Sequence, residues 1–336
     1  MAWYHIPGND QDVVIRTRVR LARNLSEYPF VTRLEASHAK EIVGRVGCIL
    51  EKNGFTRIDF SDISRSTAQS LVEKHYASPT FVRESLPHAL FLNEPCNLSV
   101  MACEEDHLRL QCILPGFSLR DSYAGVSRIE TQLDEEIAFA FDPELGYLTE
   151  CPANLGTAMR ASIMLCLPML SGSGRLASLS LQLGQMGLLL QEMCGESRSF
   201  TGGIYQLSNR VTLGLSEDEI LDRIQHATAK IITMERHIRT SISGYERDKL
   251  LDRVFRSEGI LRHAHTLTAS EMLELLTDLR LGASLGMSNA KIDVMTSLLV
   301  EGMPATLSLA FEVPPKLEHD SEILRAKMVK EKLFGT

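Results

Sequence analysis

Three arginines on alternate positions, Arg16, Arg18 and Arg20 within VVIRTRVRLARN (13–24), constrain this chain more than any other feature. Alternation is the period of a β-strand. As a strand, the run lines up three fixed positive charges on one face, roughly 6–7 Å apart, and turns Thr17, Val19 and Leu21 toward a core. Like charges at that spacing repel one another, so a sheet that carries them calls for concentrated negative charge. Phosphate oxygens suit it best, because the planar guanidinium fork meets them bidentately. The pattern predicts a strand at a polyphosphate site. The plainer reading of the same spacing is a solvated edge strand whose basic residues discourage aggregation.

The remaining composition excludes several classes. The formal net charge is −8, so any basic face is local, and neither a nucleic-acid nor a membrane-surface partner is expected. Seven cysteines contain no CxxC pair and no Cys/His cluster at zinc spacing, which predicts free thiols in a reducing cytoplasm and no metal held by protein side chains. The N-terminal MAWYHIPGNDQD lacks an apolar signal core, and the apolar stretch 162–170 is too short to span a membrane and contains Pro168. With 336 residues the chain has room for two domains.

Helical spacing of Ala39, Ile42, Val43, Val46, Ile49 and Leu50 predicts an amphipathic helix over Glu35–Asn53, stopped at Asn53-Gly54. HLRLQCIL (107–114) alternates as a strand, and Leu179–Met193 reads as a helix weakened by Gly184 and Gly187. Beyond residue 215 the pattern is helical throughout. Ser216 with Glu219 and Thr268 with Glu271 form capping boxes, and a last helix is expected from about Asp320 to Phe334. The expectation is an α+β region over 1–222 followed by an all-α region over 223–336.

Three further constellations carry possible chemistry. Cys103-Glu104-Glu105-Asp106-His107-Leu108-Arg109 sets three acids before a strand; extended backward, the alternation puts Glu105, His107, Arg109 and Gln111 on one face. Cys151-Pro152-Ala153-Asn154-Leu155-Gly156-Thr157, followed by Arg160 and Ser162, is a tight loop able to display a thiol and backbone amides. Cys194-Gly195-Glu196 lies in a polar loop ending at Gly202-Gly203. Taken singly, these read as an ion pair, a packed cysteine and a surface loop. GxxxxGK[ST], GxGxxG and the protein-kinase HRD and DFG sets are all absent, so arginines must do the work of a phosphate-binding loop if the chain handles ATP.

In order and spacing, the segments resemble the ATP:guanidino phosphotransferase superfamily, and within it the bacterial protein arginine kinases. RTRVRLARN resembles SSRxRLARN, with Arg16-Thr17 in place of two serines; CEEDHLRLQ resembles NEEDHLRIQ; CPANLGTAMRAS resembles CPTNxGTxxRAS; and YQLSNRVTLGLSEDEI (205–220) resembles YQISNxVTLGxSExEI. EKHYASP (73–79) resembles a further family segment. The resemblance implies a guanidino-kinase catalytic domain, an antiparallel sheet flanked by helices, acting on MgATP. It places Arg16, Arg18, Arg20, His75, Arg109, Arg160 and Ser162 around the nucleotide. It assigns Glu105 and Glu196 to the acceptor guanidinium, with Cys151 beside them, and Asn154, Gly156 and Thr157 to the acceptor loop. One departure stands out: the family flap RGxxGE here reads QEMCGE, with Gln191 and Glu192 in place of arginine and glycine.

Small-molecule guanidino kinases resemble the same domain but carry a helical domain ahead of the arginine strand, whereas here helices follow it. That layout resembles the protein arginine kinases, whose acceptors are arginine side chains of proteins and whose phosphorylation marks proteins in stress response or for degradation. The resemblance further implies a homodimer, a zinc-finger activator (McsA-like) and a Clp protease as partners. The family's RDxxRA phosphoarginine motif matches SEILRA (321–326), keeping Arg325 but with Ser321 and Glu322 in place of Arg and Asp. The retained acids favour an active kinase. Gln191 and Ser321 favour the alternative, a weak or inactive member that serves as a nucleotide- or client-binding adaptor.

Overall fold

A computed structural model describes residues 1–193, 203–312 and 318–335. The elements run β1 (Val14–Arg23), α1 (Ala36–Lys52), β2 (Phe55–Asp59), α2 (Arg65–Glu73), β3 (Ala89–Asn93), β4 (Leu98–Ala102), β5 (Leu108–Pro115) and α3 (Leu119–Asp134). A small hairpin, β6 (Phe141–Asp142) and β7 (Gly146–Tyr147), precedes β8 (Met159–Cys166), α4 (Pro168–Gly172), α5 (Leu176–Gln185), β9 (Leu188–Glu192) and β10 (Ile204–Asn209). Helices α6 (Glu217–Ser241), α7 (Gly244–His263), α8 (Ala269–Ser284), α9 (Ile292–Glu301), α10 (Pro304–Ala310) and α11 (Glu318–Phe334) complete the chain.

Eight strands form one antiparallel sheet in the order β2-β3-β4-β5-β1-β8-β10-β9, so the arginine strand is central rather than an edge. Thr17, Val19 and Leu21 are wholly buried, and the last two join a core with Leu110, Ile163 and Leu207. The apolar stripes of α1 (Ile42, Val46, Leu50), α3 (Val126, Ile129) and α6 (Ile220, Ile224, Ile231) close over that face. Burying a large aliphatic side chain is worth about 1.5–3 kcal/mol, and this core fixes which face of β1 is left for the arginines.

The predicted helix over 179–193 divides instead into α5 and β9. Gly187 takes φ +72, which breaks the helix and lets Leu188–Glu192 pair with β10. Both halves of the Ser216–Glu219 capping box are formed at the start of α6. Residue 222 lies inside that continuous helix, and Ile224, Ala227, Ile231 and Ile232 beyond it still pack on the sheet. The helical region docks back through polar joints. The Ala305 and Thr306 amides at the start of α10 donate to the Glu73 carboxylate at 3.0 and 2.7 Å, and Arg239 of α6, paired with Asp12 at 3.1 Å, donates to Ser284 Oγ of α8 at 3.2 Å. No single helix among the described residues is long and apolar enough to cross a membrane.

Candidate active site

Strand register brings the basic residues to one face. Arg20 stands opposite Arg160 on β8 and Gln111 on β5, Arg18 opposite Ser162 and Ile113, and Arg109 opposite Ala22. Among the described residues, Arg16 is buried with Nε and Nη1 lacking any partner, and the Nε atoms of Arg18 and Arg20 are likewise buried and unpartnered. Arg18 reaches Gln206 Oε1 only at 3.5 Å, and the Ser162 hydroxyl donates to the Arg18 carbonyl at 3.5 Å. Burial first, then the mutual repulsion of Arg16, Arg109 and Arg160, pulls the Arg18 guanidinium well below its ordinary range. Burial and Arg18, Arg109 and Arg160 do the same to Arg20, and burial with Arg20 brings Arg16 down to about 9. Guanidinium groups nevertheless stay protonated in proteins. The face is therefore a store of uncompensated positive charge, electrostatically matched to a polyanion.

His75 adjoins this face. It sits at φ +65, its ring 5.9 Å from that of Trp3, and burial followed by the charges of Arg16 and Arg18 holds its pKa well below the usual value, so it is neutral near pH 7.

Acids occupy the rim. Arg109 pairs with Glu104 at 2.6 Å and Glu105 at 2.8 Å. Glu104, which sequence reasoning did not single out, is buried, accepts from Thr80 Oγ1 at 2.7 Å and from Ser78, and so ties the loop after His75 to Arg109. Its signal was the unbroken run of three acids, of which only the exposed middle one drew attention.

The expectation that Glu105, His107, Arg109 and Gln111 share a strand face is corrected. β5 begins only at Leu108, because Cys103 at φ +63 opens a tight turn closed by its own amide on the His107 carbonyl. His107 points away into the core: Nδ1 accepts from the Leu25 amide at 3.0 Å and Nε2 donates to the Pro29 carbonyl at 2.9 Å. It is a structural histidine, and burial lowers its pKa. Arg109 and Gln111 do share the arginine face, and Gln111 donates to the His75 carbonyl at 2.8 Å.

Asp106 joins the acid turn to the cysteine loop. Its Oδ1 accepts from Asn24 Nδ2 at 2.7 Å and from the Glu150 amide at 2.8 Å, one residue before Cys151. Cys151 is half-buried and heads a short 3-10 turn whose Asn154 amide donates to the Cys151 carbonyl at 2.9 Å. Gly156 takes φ +99, and a Cβ there would meet the Thr212 carbonyl oxygen at 2.3 Å. Thr157 is buried, its amide on the same carbonyl at 3.2 Å. Gln191 lies opposite Gln206, which in turn faces Met164, itself opposite Arg16; all four occupy one row of the sheet. Glu196 lies outside the described residues. Far away, Arg325 is buried and donates to the carbonyls of Gly302 and Leu267, both at 2.7 Å, while the Glu322 carbonyl accepts from the Leu267 amide at 3.1 Å. Among the described residues no three His, Cys, Asp or Glu side chains cluster as a metal site.

A central antiparallel sheet with flanking helices, carrying unpaired guanidiniums beside carboxylates and a looped cysteine, defines a guanidino kinase. Residues 39–238 match the family model for the ATP:guanido phosphotransferase C-terminal catalytic domain, and residues 247–335 match the protein-arginine kinase McsB C-terminal domain. The chain is 37% identical to a protein-arginine kinase of Brevibacillus brevis, covering 98% of this chain and 94% of the relative. To that of Caldanaerobacter subterraneus it is 35% identical, covering 96% and 98%. Among solved structures, the substrate-free duplicated taurocyamine kinase of Schistosoma mansoni superposes with TM-score 0.62 at 23% identity over 80% of this chain, which spans 40% of that longer protein. A lombricine kinase superposes with TM-score 0.61 at 21% identity over 69% of each chain, and both show the shared fold. The chain belongs to the protein-arginine kinase family of ATP:guanido phosphotransferases.

Proposed function

We propose that this chain transfers the γ-phosphoryl group of ATP to arginine side chains of proteins. The observation that carries the reading is the central-strand array of Arg16, Arg18 and Arg20 with Arg109 and Arg160, left without sufficient counter-charge and rimmed by Glu104 and Glu105. The array holds the triphosphate. Mg²⁺ bound with the nucleotide would supply further neutralisation of phosphate charge.

The acceptor poses the harder problem. A free guanidinium has a pKa near 13.8, so deprotonating it at pH 7 costs about 9 kcal/mol at ~1.36 kcal/mol per unit. Glu105, and Glu196 with it, orient the acceptor nitrogen in line with the γ-phosphorus and take up its proton; a positioned base contributes about 10²–10⁴ in rate. Cys151 sets a sulfur beside the guanidinium, where thiolate character would add negative charge, and Asn154, Gly156 and Thr157 hold that loop. Arg109 is shared: in the nucleotide-free protein it engages Glu105, and phosphate oxygens would draw it away and release the base. The nitrogen lone pair attacks phosphorus as the bond to the ADP oxygen breaks, with no phosphoenzyme.

We further propose an α+β catalytic unit and an all-α unit, which we divide at the end of α6 because α6 packs on the sheet, and dimerisation through the helices. The setting proposed is a cytoplasmic stress response, with a zinc-finger activator and a Clp protease as partners and Glu322 and Arg325 in a phosphoarginine site. A second reading, a weak or inactive adaptor, is favoured by Gln191, which puts a neutral amide on the array's face. One assay separates them: MgATP, an unfolded arginine-bearing protein and free arginine, followed by neutral-pH mass spectrometry. Phosphoarginine on protein supports the kinase; modified free arginine alone, or neither product, overturns it.

A further inference from the structure

Residues 129–159 carry seven carboxylates and neither a lysine nor an arginine. Only Glu130 is spent on an ion pair among the described residues, with Arg23 at 2.5 Å. Asp134, Glu135, Glu136 and Glu144 are exposed. The same region shows an apolar surface left open among the described residues: Phe141 is 59% exposed and Leu145 43%, while Val211 and Leu213 across the cysteine loop are 40% and 46% exposed.

Asp142 and Glu144 of the hairpin and Glu150 beside Cys151 bring the acidic stretch to the candidate acceptor loop, where the apolar side chains also lie. Gly146 and Gly156 are in backbone contact, a Cβ on Gly146 falling 2.4 Å from the Gly156 carbonyl oxygen, and the Tyr147 amide donates to that oxygen at 2.8 Å. Gly156 in turn presses on Leu213, whose Cα would lie 2.7 Å from an added Cβ. Leu145 and Leu213 thus stand on either side of the Cys151–Thr157 loop, each within one residue of its backbone contacts. Glycines at both contacts let three segments stack as one rigid platform.

We propose that this acidic, leucine-flanked platform is the docking face for the protein substrate, gripping a basic, unfolded segment on both sides of the arginine to be phosphorylated. The inference rests on the acceptor assignment above and specifies its partner. Charge complementarity fixes the occupant: the six carboxylates of this stretch that have no ion pair among the described residues are the complement of an arginine-bearing segment, and exposed leucines suit the apolar side chains an unfolded segment displays. A single small guanidine fills only the acceptor pocket and gains nothing from the platform.

The test uses the full chain. Binding of fluorescently labelled, reduced and carboxamidomethylated lysozyme is followed by anisotropy, beside binding of ATP and of the blocked tripeptide acetyl-Gly-Arg-Gly-amide. The double variant Leu145→Ser/Leu213→Ser is expected to weaken binding of the unfolded protein about tenfold. Glu136→Lys/Glu144→Lys, on exposed positions, is expected to do the same and to flatten the salt dependence. Both variants should keep ATP and tripeptide affinities within about twofold, which also reports that the fold is intact. Unchanged protein binding in both variants, equal losses for protein and tripeptide, or no protein binding by the unaltered chain overturns the proposal. Protein binding that tracks the variants without any phosphoarginine formed supports the docking face and overturns the kinase reading instead.

Discussion

Replacing Arg18 by methionine separates what the arginine array does for binding from what it does to the fold. Arg18 stands between Arg16 and Arg20 on one strand face, each about 6.6 Å away by strand geometry. At an effective dielectric constant of about 20, each neighbour repels it by about 2.5 kcal/mol, and physiological salt reduces the pair of them to roughly 2 kcal/mol. No carboxylate pairs with Arg18 among the described residues, and its one side-chain hydrogen bond is long, so little is lost in return. Methionine keeps the length of the stem and packs on the same face. The variant should therefore be more stable by about 2 kcal/mol, raising the unfolding temperature by roughly 4 °C in calorimetry without nucleotide. Its ATP affinity should fall by about 10–150-fold, the worth of one charge-assisted contact of about 1.5–3 kcal/mol. High salt should shrink the stability gain. A variant that is less stable than the parent, or that binds ATP as well, would refute the claim that this face is held in readiness for phosphate.

Other expectations follow from the same geometry. Glu105→Gln should lower kcat for arginine phosphorylation by about 10²–10⁴ while leaving the KM for ATP within about threefold, read by release of ADP with a protein acceptor. Gly156→Ala should cost about 2–4 kcal/mol of stability and most of the activity, since φ +99 and the Thr212 carbonyl both oppose a Cβ; chemical denaturation measures it. Below pH 6.5, burial keeps His75 and His107 less protonated in the folded chain than in the unfolded one. The unfolded state then binds more protons, so stability is lost as pH falls, by at most about 1.4 kcal/mol per pH unit for each histidine. Denaturation between pH 6.5 and 5 should show stability falling with pH, and His107→Gln should make that fall shallower.

The fold was legible wherever a pattern was local. α1, β5, α6 and α11 follow from apolar spacing and from capping residues, because each is decided by neighbours within a few positions. The segment 179–193 was not, since leucines satisfy a helix and a buried strand alike and only pairing with β10 selects the strand. His107 was misplaced for a related reason: alternation was carried back three residues beyond the start of β5, into the turn that Cys103 opens. Glu104 passed unnoticed because nothing in a run of acids tells which one a fold will bury.

What the sequence determined by itself is the chemistry on offer: alternate arginines, a run of acids, a cysteine between Glu150 and Pro152, and the order in which they appear. Residue type and spacing fix charge and local period, and those need no tertiary information. What only the tertiary structure decided is which charges meet and which remain unanswered. Arg23 has the same charge as Arg18 and lies five residues on, yet it is paired with Glu130 and packed on Tyr147, while Arg18 is left with no carboxylate among the described residues. The counter-ion of Arg23 comes from a residue more than a hundred positions distant, and its placement depends on how the elements pack when the whole core closes.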